Sequence, residues 1–210
     1  AEGINGSAAD IAPDIMAPAA YVVNLDTNIV VYEKNSETPL QAASLTKMMT
    51  ALLFLESGKD MNAEITIPAS LTQEFKDIQN ANGSTMNLRI GETVRRIDLL
   101  NAMLIVSAND AASVIAYDVG GSVLDFVKQM NARAQELGCT GTHFCNPCGL
   151  HEEDHYTTAR DLYLIAREAM KNDTFTNIID TVQYRMPKTN MHEERIIFTT
   201  NQLIFSSFNP

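Results

Sequence analysis

The segment from Ser44 to Glu56 sets the strongest constraint on how this chain folds. Its apolar residues Leu45, Met48, Met49, Leu52, Leu53 and Leu55 cover most of the circumference of a helix, and Ser57-Gly58 can stop it. A helix that is apolar nearly all round has to be wrapped by other elements, so the spacing predicts a central, buried helix. Two polar residues, Ser44 and Lys47, fall on its first turn. A lysine at such a place is costly unless it has a role.

With 210 residues, 45% of them hydrophobic, the chain is expected to form one domain over residues 1–210. The net charge of -11, with no Lys/Arg cluster longer than Arg95-Arg96, excludes a nucleic-acid partner, which needs a basic stripe. No run reaches the roughly 18 apolar residues of a membrane span. The first residues, Ala1 to Ser7, are small and polar without a signal segment, which fits either a cytosolic protein or a mature form already cleaved. Three cysteines, Cys139, Cys145 and Cys148, are an odd set, so at least one thiol stays unpaired within the chain.

Along the chain, Tyr21-Val22-Val23-Asn24-Leu25 and Ile29-Val30-Val31-Tyr32-Glu33 flank the turn-forming Asp26-Thr27-Asn28 and predict a hairpin. After a polar stretch, Leu99, Leu100, Met103, Leu104 and Val106 give a second helical pattern, which breaks around Ser107-Ala108-Asn109 and resumes at Ala111. Residues 123–137 predict a third helix, with Phe126, Val127, Met130, Ala134 and Leu137 on one face and Gly138 as its cap. Thr158 and Asp161 resemble a capping box opening a helix to Met170. Tyr184-Arg185-Met186 and Ile196-Ile197-Phe198-Thr199 read as strand.

Ser44-Leu45-Thr46-Lys47 places a hydroxyl and an amine three residues apart, on one helical face. A serine attacks a carbonyl only if a base takes its proton, and a lysine with a pKa lowered by burial or by a neighbouring cation can be that base. The start of a helix also directs backbone N–H groups toward a developing oxyanion. Ser-x-x-Lys alone arises readily by chance; its place on an otherwise buried helix is what singles it out. Ser-x-Asn occurs twice, at Ser107-Ala108-Asn109 and at Ser207-Phe208-Asn209. The first copy interrupts two apolar helices and can present its polar groups to a cleft; the second lies in a polar tail and reads as chance.

These motifs carry a resemblance. Residues 42–51 around Ser44 and residues 98–112 around Ser107 are similar to the first and second motif regions of the penicillin-binding serine D,D-carboxypeptidases. Thr142-His143-Phe144-Cys145-Asn146-Pro147-Cys148-Gly149-Leu150 and His155-Tyr156-Thr157-Thr158-Ala159-Arg160-Asp161-Leu162 resemble the next two landmarks, in order. The resemblance implies an α/β (α+β) domain of the β-lactamase/transpeptidase type, an antiparallel sheet flanked by helices. It implies Ser44 as nucleophile, Lys47 as its base, Ser107 as the proton donor to the leaving amine, and Asn109 as a residue that binds the substrate backbone or holds Lys47. It also implies peptidoglycan stem peptides as substrate, β-lactams as acylating agents, no metal or other cofactor, and an extracytoplasmic location. The alternatives are a catalytically silent relative that binds peptidoglycan or a partner protein, and a serine β-lactamase. The latter fits less well, because Ala108 stands where class A enzymes have Asp and Glu152-Glu153 lacks their Glu-x-x-x-Asn pattern.

The family's third motif, Lys-Thr-Gly or His-Thr-Gly, is absent; Lys188-Thr189-Asn190 comes nearest but precedes Thr200-Asn201-Gln202-Leu203. The expectation is a domain incomplete at its C-terminus. The missing sheet strands would come from a continuation, a second chain or an exchanged segment, and any peripheral membrane association would lie outside these residues. His143, Cys145, Cys148, His151 and His155 raise a rival, a tetrahedral zinc site. Their spacing matches no known finger, and a Cys145–Cys148 disulfide is a second option. Free thiols, no metal and a loop-anchoring His155 are the reading adopted.

Overall fold

The computed structural model describes residues 15–205, so Ser207 and Asn209, like Ala1 to Ser7, lie outside the described residues. A hairpin of β1 (Ala20–Asn24) and β2 (Ile29–Lys34) leads to a 3₁₀ turn at Ala43–Thr46 and then to α1 (Lys47–Glu56). Next come β3 (Glu64–Thr66), α2 (Thr72–Asn80), β4 (Thr93–Arg95), α3 (Arg96–Ile105), α4 (Asn109–Gly120) and α5 (Val123–Glu136). The chain continues through α6 (Ala159–Ala169), α7 (Asp173–Ile179), β5 (Gln183–Met186), β6 (Arg195–Phe198) and a short α8 (Gln202–Phe205).

Helix α1 is apolar on several sides because it separates two apolar clusters. Ala51 and Phe54 pack with Leu99, Leu100 and Met103 of α3 and Ile115 of α4. Met49 and Leu52 pack with Phe126 and Met130 of α5 and Ile165 of α6. Burying one such side chain contributes about 1.5–3 kcal/mol, so these neighbours hold α1 from its flanks. Leu45 departs from the expected buried set at 53% exposure, because the regular helix begins only at Lys47 and Leu45 belongs to the 3₁₀ turn.

The α3 pattern breaks where expected, at residues 106–108, before α4. Helix α5 ends as predicted: Gly138 has φ 81, and the Cys139 N–H donates to the Ala134 carbonyl. The Thr158 hydroxyl accepts the Asp161 N–H and opens α6. Helix α2 lies within the stretch that reads only as polar; its one fully buried side chain, Ile78, leaves too little pattern to detect.

Among the described residues the strand pairs are antiparallel, as expected, and they form three separate pairs, β1–β2, β3–β4 and β5–β6. The β1 strand lies against α6, and β6 against α3. The β5–β6 connection contains Lys188-Thr189-Asn190, which bonds residues 91–93: the Thr93 N–H donates to Asn190 Oδ1, and Asn190 Nδ2 to the Gly91 carbonyl.

Buried Glu92 fixes that connection, its carboxylate accepting from Thr189 Oγ1 (2.9 Å), Arg195 Nη2 (2.6 Å), the Arg89 N–H (3.0 Å) and His192 Nδ1 (3.1 Å). Burial works against the Glu92 charge, but the bonds from Thr189 and the Arg195 cation outweigh it and lower the pKa. The stabilisation is therefore present at neutral pH and lost as pH falls through the lowered value. Glu92→Ala leaves Arg195 without its carboxylate and is expected to cost about 3–5 kcal/mol by denaturant titration. By contrast, Arg185→Ala breaks an exposed pair with Glu194 and should cost no more than about 1 kcal/mol. Equal, small losses would show that Glu92 does not hold the hairpin.

Candidate active site

Ala43, at φ 46, turns the chain into the 3₁₀ turn, leaving Ser44 exposed and Lys47 buried at the first position of α1. Opposite, the connection from α3 to α4 holds Ser107 at φ 60, a conformation that a serine rarely adopts. The two segments meet at one oxygen. Ser44 Oγ accepts from Lys47 Nζ at 3.1 Å and from the Ser107 hydroxyl at 2.8 Å. A cavity of about 340 Å³ opens on Ser44, Lys47 and Ser107, with Met103, Leu104 and Phe175 among its walls.

Lys47 is 3% exposed and donates a second bond, at 2.8 Å, to the Cys148 carbonyl. Burial pushes its amine down from 10.5 to about 8, with nearby Cys148 acting weakly the other way. A lysine with that pKa can take a hydroxyl proton near neutral pH.

Asn109 is placed differently. It begins α4, its N–H donates to the Ser84 carbonyl at 2.8 Å, and its side-chain amide lies against Gly83. Among the described residues no hydrogen bond joins it to Ser44, Lys47 or Ser107. Its neighbour Asp110 fixes the loop beside it, its carboxylate accepting the N–H groups of Met86, Leu88 and Ala111. Burial raises the Asp110 pKa.

The loop that supplies the Cys148 carbonyl is bonded along the same face of α1. Thr50 Oγ1 donates to the Pro147 carbonyl at 2.6 Å. His155 Nδ1 accepts the Cys145 N–H at 3.1 Å, so the ring is neutral with its proton on Nε2, which donates to Thr46 Oγ1 at 2.8 Å. Burial lowers the His155 pKa and favours that state. Gly149, at φ 84, comes so close to the Ala43 carbonyl that a side chain there would overlap it. Thr46, Thr50, Asp110 and Gly149 support the site without standing out in the sequence; the Pro147-Cys148-Gly149 turn composition was the one local signal.

Of the remaining histidines and cysteines, Cys145 Sγ meets His143 Nδ1 at 3.7 Å. His143 Nδ1 bonds to the Asp154 carbonyl, and His151 Nδ1 to Gln41. Cys139, Cys145 and Cys148 are each unpaired, and burial pushes the Cys139 thiol up to about 12. No group of three His, Cys, Asp or Glu side chains among the described residues is arranged to hold a metal.

Known proteins share this arrangement of elements. The sequence matches the D-alanyl-D-alanine carboxypeptidase family over residues 6–208. D-alanyl-D-alanine carboxypeptidase DacF of Bacillus subtilis is 34% identical over 188 residues, covering 90% of this chain and 47% of that protein. The DD-transpeptidase of Streptomyces K15 matches with a TM-score of 0.83 at 31% identity, covering 94% of this chain and 78% of that one. A D-alanyl-D-alanine carboxypeptidase from Mycobacterium tuberculosis matches with a TM-score of 0.81 at 30% identity, covering 93% and 70%. The chain spans about half the length of the first curated relatives it matches. The β-lactamase/transpeptidase fold expected from the motifs is the fold found.

Proposed function

Because the chain belongs to the D-alanyl-D-alanine carboxypeptidase family, we propose that it is the acylating part of a serine D,D-carboxypeptidase acting on peptidoglycan stem peptides. The observation that carries this reading is Ser44 Oγ held between the Lys47 amine and the Ser107 hydroxyl at the mouth of a cavity.

In the proposed cycle, neutral Lys47 takes the Ser44 proton as Oγ bonds to the carbonyl carbon of the penultimate D-alanine. The tetrahedral intermediate collapses with cleavage of the C–N bond. Ser107 passes a proton to the leaving amine and recovers one from the Lys47 ammonium. Water then attacks the Ser44 ester with Lys47 again as base, releasing the shortened peptide and free Ser44. Asn109, the first residue of α4, would reach the substrate backbone only by turning its amide from Gly83 toward the cleft. Such a substrate places the enzyme outside the cytoplasmic membrane. Among the described residues no helix is long and apolar enough to cross a membrane.

A β-lactam presents a strained amide in place of the D-alanyl-D-alanine bond, so it should acylate the same oxygen. After penicillin treatment, intact mass should rise by one whole penicillin, and peptide mapping should place it on Ser44, with no adduct in Ser44→Ala. An adduct elsewhere, or none on the wild-type protein, rejects the assignment.

A further inference from the structure

The Asn146 side chain makes several hydrogen bonds to the loop beneath Lys47. Its Oδ1 accepts the N–H groups of Cys148 (3.3 Å), Gly149 (2.7 Å) and Leu150 (3.1 Å). Its Nδ2 donates to the Leu150 carbonyl (2.9 Å) and to Glu152 Oε1 (2.8 Å). Three donors on one side and two acceptors on the other fix which atom is oxygen. The turn is wound around one amide, 8% exposed, so that two successive carbonyls face α1: Pro147 on Thr50 and Cys148 on Lys47.

That placement bears on catalysis. A neutral amine has two N–H bonds and one lone pair. Giving one N–H to the Cys148 carbonyl restricts rotation about the last bond of Lys47 and keeps another position on the nitrogen aimed at Ser44 Oγ, 3.1 Å away, a position that holds an N–H in the ammonium and can hold the lone pair in the neutral amine. The same carbonyl then stabilises the ammonium formed when the proton arrives. We propose that Asn146 is a positioning residue for acylation, holding the Cys148 carbonyl on the Lys47 amine while Glu152 holds Asn146. The proposal rests on Lys47 being the base in the reading above.

The pair can be reversed. In Asn146→Asp two carboxylates face each other and the Leu150 carbonyl loses its donor, whereas in Asn146→Asp with Glu152→Gln only the second loss remains, because the glutamine amide donates to the aspartate, which keeps its three backbone donors. The measurements are the dissociation constant and the acylation rate constant for a fluorescent penicillin, per folded molecule, together with the melting temperature. Asn146→Ala and Asn146→Asp should be acylated about 10²-fold more slowly with an unchanged dissociation constant, since misplacement of this order costs that much. The double variant should recover to within about tenfold of wild type. Glu152→Ala, a change at an exposed position, should slow acylation several-fold and decides the matter if Asn146→Ala does not fold. A purely structural role would lower the melting temperature and leave the rate per folded molecule unchanged; that result, or a double variant as slow as Asn146→Ala, overturns the proposal. A wild-type protein that penicillin does not acylate overturns the reading of Lys47 and Ser44 itself.

Discussion

Lys47→Arg should slow acylation of Ser44 by a labelled penicillin about 10²- to 10⁴-fold, the range that a positioned general base contributes. Arginine keeps the positive charge and some of the hydrogen bonding of Lys47, but it does not deprotonate at ordinary pH. The wild-type amine, pushed by burial to about 8, is neutral in roughly a tenth of molecules at pH 7. The wild-type rate should therefore climb with pH and level off above about 8, while the Lys47→Arg rate stays low and flat. Stopped-flow acylation from pH 6 to 10, with melting temperatures for both proteins, tests this. A folded Lys47→Arg protein acylated at near the wild-type rate would remove Lys47 from the mechanism.

The second large effect is expected at Gly149→Ala. A methyl there would overlap the Ala43 carbonyl and lie 2.9 Å from Thr46 Oγ1, and φ is 84. Either the loop or the turn before Ser44 must move. Overpacking of this kind costs about 1–3 kcal/mol and the left-handed backbone about another 1 kcal/mol. Gly58→Ala is the control, because Gly58 has φ 67 and nothing within 4 Å of an added Cβ. Both variants share the backbone penalty, so Gly58→Ala should lose about 1 kcal/mol and keep its acylation rate. Gly149→Ala should lose several times as much stability, and its acylation rate should fall at least tenfold. Equal losses from the two substitutions would show that the Ala43–Gly149 approach is unimportant.

The sequence made the centre of this molecule legible and its supports obscure, for physical reasons. Helix α1 could be read because burial on several sides leaves an apolar pattern, and the Ser107 break because polar residues interrupt an apolar run. The approach of Lys47 to Ser44 followed from their spacing on one helical face, but that of Ser107 was reached through motif resemblance, because periodicity does not bring α1 and the α3–α4 connection together. The supports around them depend on backbone atoms. The Cys148 carbonyl, the Met86 and Leu88 N–H groups on Asp110 and the Ala43–Gly149 approach belong to the main chain, which every residue has. Leu45 was misplaced because a 3₁₀ turn and the first turn of an α-helix look alike in spacing.

The buried Lys47 amine also bears on how such a site persists under selection. A pKa moved from 10.5 to about 8 disfavours the charged form by about 3 kcal/mol, a penalty fully present below pH 8 and fading as pH rises toward 10.5. Ala43 at φ 46 and Ser107 at φ 60 each add a cost on the order of 1 kcal/mol. Replacement of any of the three by a residue suited to its local conformation or burial would strengthen the fold. Inheritance of the site is thus maintained against a steady stability gradient, and laboratory evolution meets the same gradient. A library sorted for heat resistance alone would accumulate inactive clones at Lys47 and Ser107, and one sorted by penicillin labelling after heating would retain those two residues.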